Sequence, residues 1–184
     1  MSPRAIHAKQ QPRFYDIKTM NSLKKLVYLF LVCASLAACN TQPPVQKTPE
    51  CMAIEAVYSI DKQIVSTSNT VSEVAAKSQS VALTGCPPEF IDAYRANVKA
   101  WQKLADIEKK MYTVNMTKAQ TDIAKFLSEY QSNPSKAAVE LKRRWPSQAK
   151  AIDECAARIA STRADYIAIG VKYDAVYNRN SGLF

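Results

Sequence analysis

From about residue 50 to residue 178 the apolar residues recur at three- and four-residue intervals, the period of a helix face, and no stretch alternates in the two-residue period of a half-buried strand. A first helix is expected over Cys51–Lys77, with Ile54, Val57, Tyr58, Ile64, Val65, Val71 and Val74 along one stripe. Its Ser66–Thr70 run has poor helix propensity, so packing must hold that half. Gly85-Cys86-Pro87-Pro88-Glu89 reads as a stop and a restart, with proline in a first turn and a carboxylate near the positive helix end. The second helix shows the clearest buried face: Phe90, Tyr94, Val98, Trp101, Leu104, Ala105 and Met111. Thr117 and Gln120 have capping-box spacing and predict a third helix that buries Ile123, Phe126, Leu127 and Tyr130. That helix meets Ser132-Asn133-Pro134, resumes through Val139 and Leu141, and stops near Trp145-Pro146, because proline disfavours a helical residue before it. A fourth, from Ser147 to Tyr177, buries Ile152, Cys155, Ile159, Tyr166, Ile167, Gly170 and Tyr173, its glycine admitting a neighbouring helix. With the interrupted third segment counted as one leg, the pattern predicts an all-α, four-helix up-down bundle.

Composition narrows the function. Three glycines in 184 residues cannot furnish a glycine-rich phosphate loop or a dinucleotide fingerprint. The only histidine is His7, inside a segment expected to be removed, so a mature chain has no imidazole for a catalytic triad or a histidine metal site. The net charge of +9 suggests nucleic acid until it is divided: residues 1–38 hold 6 basic residues and 1 acidic one. The remainder has 19 basic and 15 acidic residues, a net +4, which aids solubility and specifies no nucleic-acid partner. No cofactor is expected.

The removable segment is recognised by its parts. Lys24-Lys25 precede a short apolar run, Leu26 to Ala38, which ends in small residues. As a helix this run reaches only about 20 Å, short of the ~30 Å hydrocarbon core of a bilayer. Leu36-Ala37-Ala38-Cys39 resembles the bacterial lipobox, and the resemblance implies cleavage before Cys39 and diacylglyceryl transfer to its thiol. A pair of acyl chains, at ~0.8 kcal/mol per buried CH₂, anchors a protein effectively permanently. Residues 1–19 are too polar for such a signal, which points to translation from Met20. By resemblance to lipoprotein sorting, Asn40 directs the chain to the outer membrane, facing the periplasm. The expected organisation is a signal peptide over 1–38, a lipidated proline-rich tether over 39–49, the bundle over 50–178 and a tail over 179–184.

Export places Cys51, Cys86 and Cys155 in an oxidising compartment, where disulfides persist. If the first two helices are antiparallel, Cys51 and Cys86 lie ~40 Å apart, far beyond the ~7 Å limit for bridging. Cys155 reaches Cys86 if the third leg crosses the whole bundle, or Cys51 if that leg doubles back at Pro134. Equal leg lengths favour Cys86–Cys155. No CxxC spacing supports a metal site.

Binding chemistry has two candidates. Lys142-Arg143-Arg144 with Trp145 is a binding-surface composition, although cations there also complement the negative end of a helix macrodipole. Tyr166, Tyr173 and Tyr177 could form a stacking strip, although aromatics at helical spacing more often serve a core. Asp153-Glu154, Asp106 and Glu108 offer carboxylates, but glycoside hydrolysis needs two that face each other across a cleft. The expectation is a membrane-anchored, non-catalytic envelope lipoprotein that binds another envelope protein, its surface near Arg143, Arg144 and Trp145. The alternatives are a small-ligand or glycan-binding module and a carboxylate-dependent cell-wall enzyme.

Overall fold

The computed structural model describes residues 47–177. The expected signal peptide, the lipidation at Cys39 and most of the tether lie outside the described residues. The described chain is all-helical. It forms α1 (Pro49–Thr67), α2 (Val71–Gln79), α3 (Pro88–Val114), α4 (Met116–Tyr130), α5 (Pro134–Arg144), a 3₁₀ turn at Pro146–Gln148, and α6 (Ala149–Val171). None of these helices is long and apolar enough to cross a membrane.

Six helices stand where four were expected, because two long segments break. The first divides at Ser68–Thr70, inside the run of weak helix formers. Thr70 caps α2 by accepting from the Glu73 amide at 3.0 Å, while Glu73 accepts from the Asn69 amide at 3.0 Å. The two amides that this capping leaves open, Val71 and Ser72, donate at 2.9 and 2.8 Å to Glu108, a fully buried carboxylate from the middle of α3. A carboxylate at a helix N-terminus meets both the free N–H groups and the positive end of the dipole. Glu108, weighed from sequence as an acid–base group, is thereby engaged in joining α2 to α3.

The chain then returns along α1, and Gly85, at φ +84°, makes the turn beside Ala53. Helix α3 starts at Pro88 with Glu89 in its first turn, as the sequence implies, and every residue of its expected stripe is buried. Helix α4 is capped by Asn115, which accepts from the Lys118 amide at 2.9 Å, two residues ahead of the predicted Thr117. The second break, before Pro134, is a reversal. Lys118 at the start of α4 donates to the Arg144 carbonyl at the end of α5 at 2.7 Å, so these two helices form an antiparallel pair. Leu141 is buried as expected, and Val139 is exposed.

Two apolar clusters fill the interior. One joins Ile64 and Val65 to Trp101, Leu104, Ile123, Phe126, Leu127, Trp145 and Ile159; the other joins Ile54, Val57 and Tyr58 to Phe90, Tyr94 and Tyr166. In the second, Gly170 of α6 faces α1. A Cβ there would overlap the Tyr58 hydroxyl and crowd Ile54 at 3.1 Å, and that hydroxyl donates to the Tyr166 carbonyl at 3.2 Å. The glycine admits a neighbouring helix, as its position suggested.

The expected Cys86–Cys155 disulfide is absent: Cys51, Cys86 and Cys155 are all free. Cys86 lies in the cluster around Tyr58, whereas Cys155 packs on the other cluster, near Lys103 and Asp106. The distance along α3 from Cys86 to that level is about 25 Å. A Cys86–Cys155 bridge requires a third leg that crosses the whole bundle; the reversal before Pro134 leaves Cys155 at a different height. The first leg also divides, so Cys51 and Cys86, expected at opposite ends, share one cluster.

Candidate functional site

Between the two apolar clusters lies a polar layer. Asn97 donates to the Ile159 carbonyl at 3.0 Å and to Thr162 Oγ1 at 2.9 Å, and the buried Asp61 accepts from the Tyr166 hydroxyl at 2.9 Å. Arg163 donates to the Tyr177 hydroxyl, with its guanidinium 5.9 Å from the Tyr130 ring centroid. Burial pushes the Asp61 carboxyl above its usual range, against the pull of the Arg163 charge and the Tyr166 hydrogen bond. An acid raised on folding contributes its stability at low pH and loses it as pH climbs from the unfolded value, about 4, through the folded one. Asp61→Asn is therefore expected to raise the Tm at pH 7, with the gain vanishing below about pH 4. A variant less stable than wild type at pH 7 would refute this account of the layer.

The sequence-predicted surface disperses. Trp145 is buried and donates through Nε1 to Asp122 Oδ2 at 3.0 Å, with Lys118 Nζ 3.8 Å from its ring centroid. Arg144 pairs with Asp122 at 2.6 Å and Lys142 with Asp153 at 2.7 Å. Arg143, the most exposed of the three, pairs with Glu140 at 3.0 Å. This corner fastens α5 to α4 and α6, and its cations already have partners. The tyrosine strip disperses too. Tyr166 is fully buried, Tyr173 donates to Glu89 at 2.8 Å, and Tyr177 turns back so that its ring meets Tyr58 edge-on at 5.0 Å.

What the structure assembles instead lies on α3. Arg95, Lys99 and Lys103, at i, i+4 and i+8, form an exposed row, and Arg158 of α6 faces them across a groove of about 530 Å³ floored by Ala96 and Ala100. None of these four cations forms an ion pair among the described residues. Asp92 stands at the end of the groove nearest the N-terminus of α3. On the other side of Arg95 and Lys99, a second cleft of about 340 Å³ opens between α2 and α3, lined by Val81, Leu83 and Val98. Ser78 and Tyr94 also line it, with their hydroxyls buried.

The signal for this row was present in the sequence. Like charges at i, i+4 destabilise a helix by ~0.2–0.5 kcal/mol per pair, so three in succession on a strongly amphipathic helix ask for an external counter-charge. The contiguous Lys142-Arg143-Arg144 run is more conspicuous, but contiguous residues point to different faces. Among the described residues no group of His, Cys, Asp or Glu could hold a metal ion. Comparison with known proteins returns no matching family, no curated relative and no matching solved structure.

Proposed function

We propose that this chain is a lipid-anchored protein of the bacterial envelope, held through Cys39 at the outer membrane and facing the periplasm, and that it acts by binding a partner protein rather than by catalysis. The lipobox resemblance at Leu36–Cys39 supports the anchor, and Asn40 supports the destination. The observation that carries the binding role is the row of four cations without partners along α3 and α6. Many other lysines and arginines sit in local pairs such as Lys109–Asp106 and Arg143–Glu140, and what sets these four apart is that they line one groove. Like charges held together in a groove favour an acidic partner and accelerate its encounter. In the same reading the fold is an elaborated up-down bundle, with α3 and α6 as its long legs and the α1–α2 and α4–α5 pairs in place of the other two.

The test uses a photocrosslinking residue at Glu154, exposed on α6 one turn before Arg158, in intact cells. A discrete crosslinked partner is expected, and Arg95→Glu with Lys103→Glu should reduce it at least tenfold while shifting folding stability by less than about 0.5 kcal/mol, as surface substitutions do. Cys39→Ala should leave an uncleaved precursor. Undiminished crosslinking in the double variant would remove the cationic row from the function, and a cleaved, unlipidated chain would remove the anchor. A second reading, a small-ligand module, is favoured by the α2–α3 cleft, where Ser78 and Tyr94 stand beside the apolar Val81, Leu83 and Val98.

A further inference from the structure

We propose that the α3–α6 groove receives an α-helix of the partner protein that carries acidic residues at every fourth position; the proposal rests on the reading of this face as the binding site. Its first ground is spacing. Successive cations in the row are four residues apart, a rise of about 6 Å on a helix. A partner helix laid along α3 has the same rise, so carboxylates at i, i+4 and i+8 meet Arg95, Lys99 and Lys103 in register. An extended strand advances about 6.6–6.8 Å per two residues and drifts out of step with each rung.

The second ground is shape. The groove floor is Ala96 and Ala100, one helical turn apart and without side-chain bulk, and the cations rise from its two rims. Interaxial distance between helices is set by the side chains at the contact, with 8–10 Å typical. An alanine floor brings a docked helix to the near end of that range, where its flanking carboxylates come within reach of both rims. Helix-in-groove recognition combines a close apolar contact with flanking charges in this way.

The third ground is the sign change at one end. Asp92 is one turn before Arg95, so the row along α3 reads negative, positive, positive, positive. A partner helix with three acidic rungs followed by one basic rung satisfies all four positions in a single direction and meets repulsion when reversed. Asp92 thus sets the polarity of docking, and Arg158, on the opposite rim, takes a carboxylate from the partner's other flank.

The test measures binding of labelled peptides to the full chain in detergent by fluorescence anisotropy at 50 and 200 mM salt. One alanine-rich peptide of about 20 residues, long enough to be helical in isolation, carries Glu at three successive fourth positions. A second has the same composition with its three Glu contiguous. Inorganic polyphosphate serves as a competitor. The spaced peptide is expected to bind at least tenfold tighter than the contiguous one and to weaken as salt rises. It should lose tenfold or more on Arg95→Glu with Lys103→Glu, and a peptide with Lys in place of Glu should recover binding to that variant. Ala96→Leu fills the floor without changing charge; it should abolish the preference for the spaced peptide and leave polyphosphate binding intact. Equal binding of the two peptides, or a preference that survives Ala96→Leu in a folded protein, would overturn the helix as occupant. Tight polyphosphate binding with no peptide discrimination would overturn it too, in favour of a flexible polyanion, while the cationic face would stand. Loss of crosslinking from position 154 in cells on charge reversal, without peptide discrimination in solution, separates failure of this inference from failure of the binding reading itself.

Discussion

Replacing Trp101 with alanine is expected to cost about 3–5 kcal/mol of folding stability, the range for deleting a buried large aromatic. Trp101 is 3% exposed and lies where α3 meets α4, its ring edge-on to Tyr130 with centroids 5.1 Å apart. Tyr130 in turn packs obliquely on Phe126 at 5.5 Å, so truncation removes the surface that holds Tyr130 in this aromatic group. The space cannot close easily, because Leu104 and Ile123 beside it are already buried in the same cluster. Urea unfolding followed by far-UV circular dichroism gives the number. A variant within about 1 kcal/mol of wild type would mean that the α4–α5 pair is held by something other than this core.

The second large effect falls on Asp122. Its carboxylate, with 2% of the side chain exposed, accepts from Arg144 at 2.6 Å, from Trp145 Nε1 at 3.0 Å and is 3.3 Å from Lys118 Nζ. Asp122→Ala leaves a buried indole N–H and a half-buried guanidinium without a partner, and a buried donor left unsatisfied costs roughly 1–3 kcal/mol. Glu140→Ala, which breaks the solvent-facing pair with Arg143, is expected to shift stability by less than about 0.5 kcal/mol and serves as the control. Burial pushes the Asp122 carboxyl up, but the hydrogen bonds and charges of Arg144 and Lys118 outweigh it and hold the group below its usual value. A carboxylate lowered on folding supplies its stability above the unfolded value, about 4, and loses it as pH falls through the folded one. The difference between wild type and Asp122→Ala should therefore be largest near neutral pH and shrink on acidification below about pH 4, whereas the change due to Asp61 falls above pH 4. A variant gap that is unchanged between pH 7 and pH 3 would exclude the ion pair as its source.

Both effects bear on how a site is read from a sequence. Lys142, Arg143, Arg144 and Trp145 have the composition of a binding surface, yet Asp122, twenty-three residues before Trp145, turns the tryptophan and one arginine into a structural joint. Nothing local to residues 142–145 announces that partner. The row at Arg95, Lys99 and Lys103 is legible by spacing, because one helix places these residues on one face whatever the rest of the chain does. Its fourth member is not: Arg158 joins only when α6 packs along α3, as fixed by the Asn97 bonds to Ile159 and Thr162.

Local pattern is enough to establish that the chain is helical, that α3 runs from the Pro87-Pro88 restart with one face buried from Phe90 to Met111, and that Gly170 marks a close approach. These follow from periodicity, proline and glycine stereochemistry, which act within a few residues. Long-range packing sets the rest: the first and third legs fold into pairs, Glu108 serves α2 from thirty-six residues away, and the three cysteines stand unpaired at two heights. A run such as Ser66–Thr70 is compatible with a strained helix or with a break. The choice turns on whether a distant carboxylate is present to take the amides that a new helix start exposes, a condition set by packing and invisible to the local pattern.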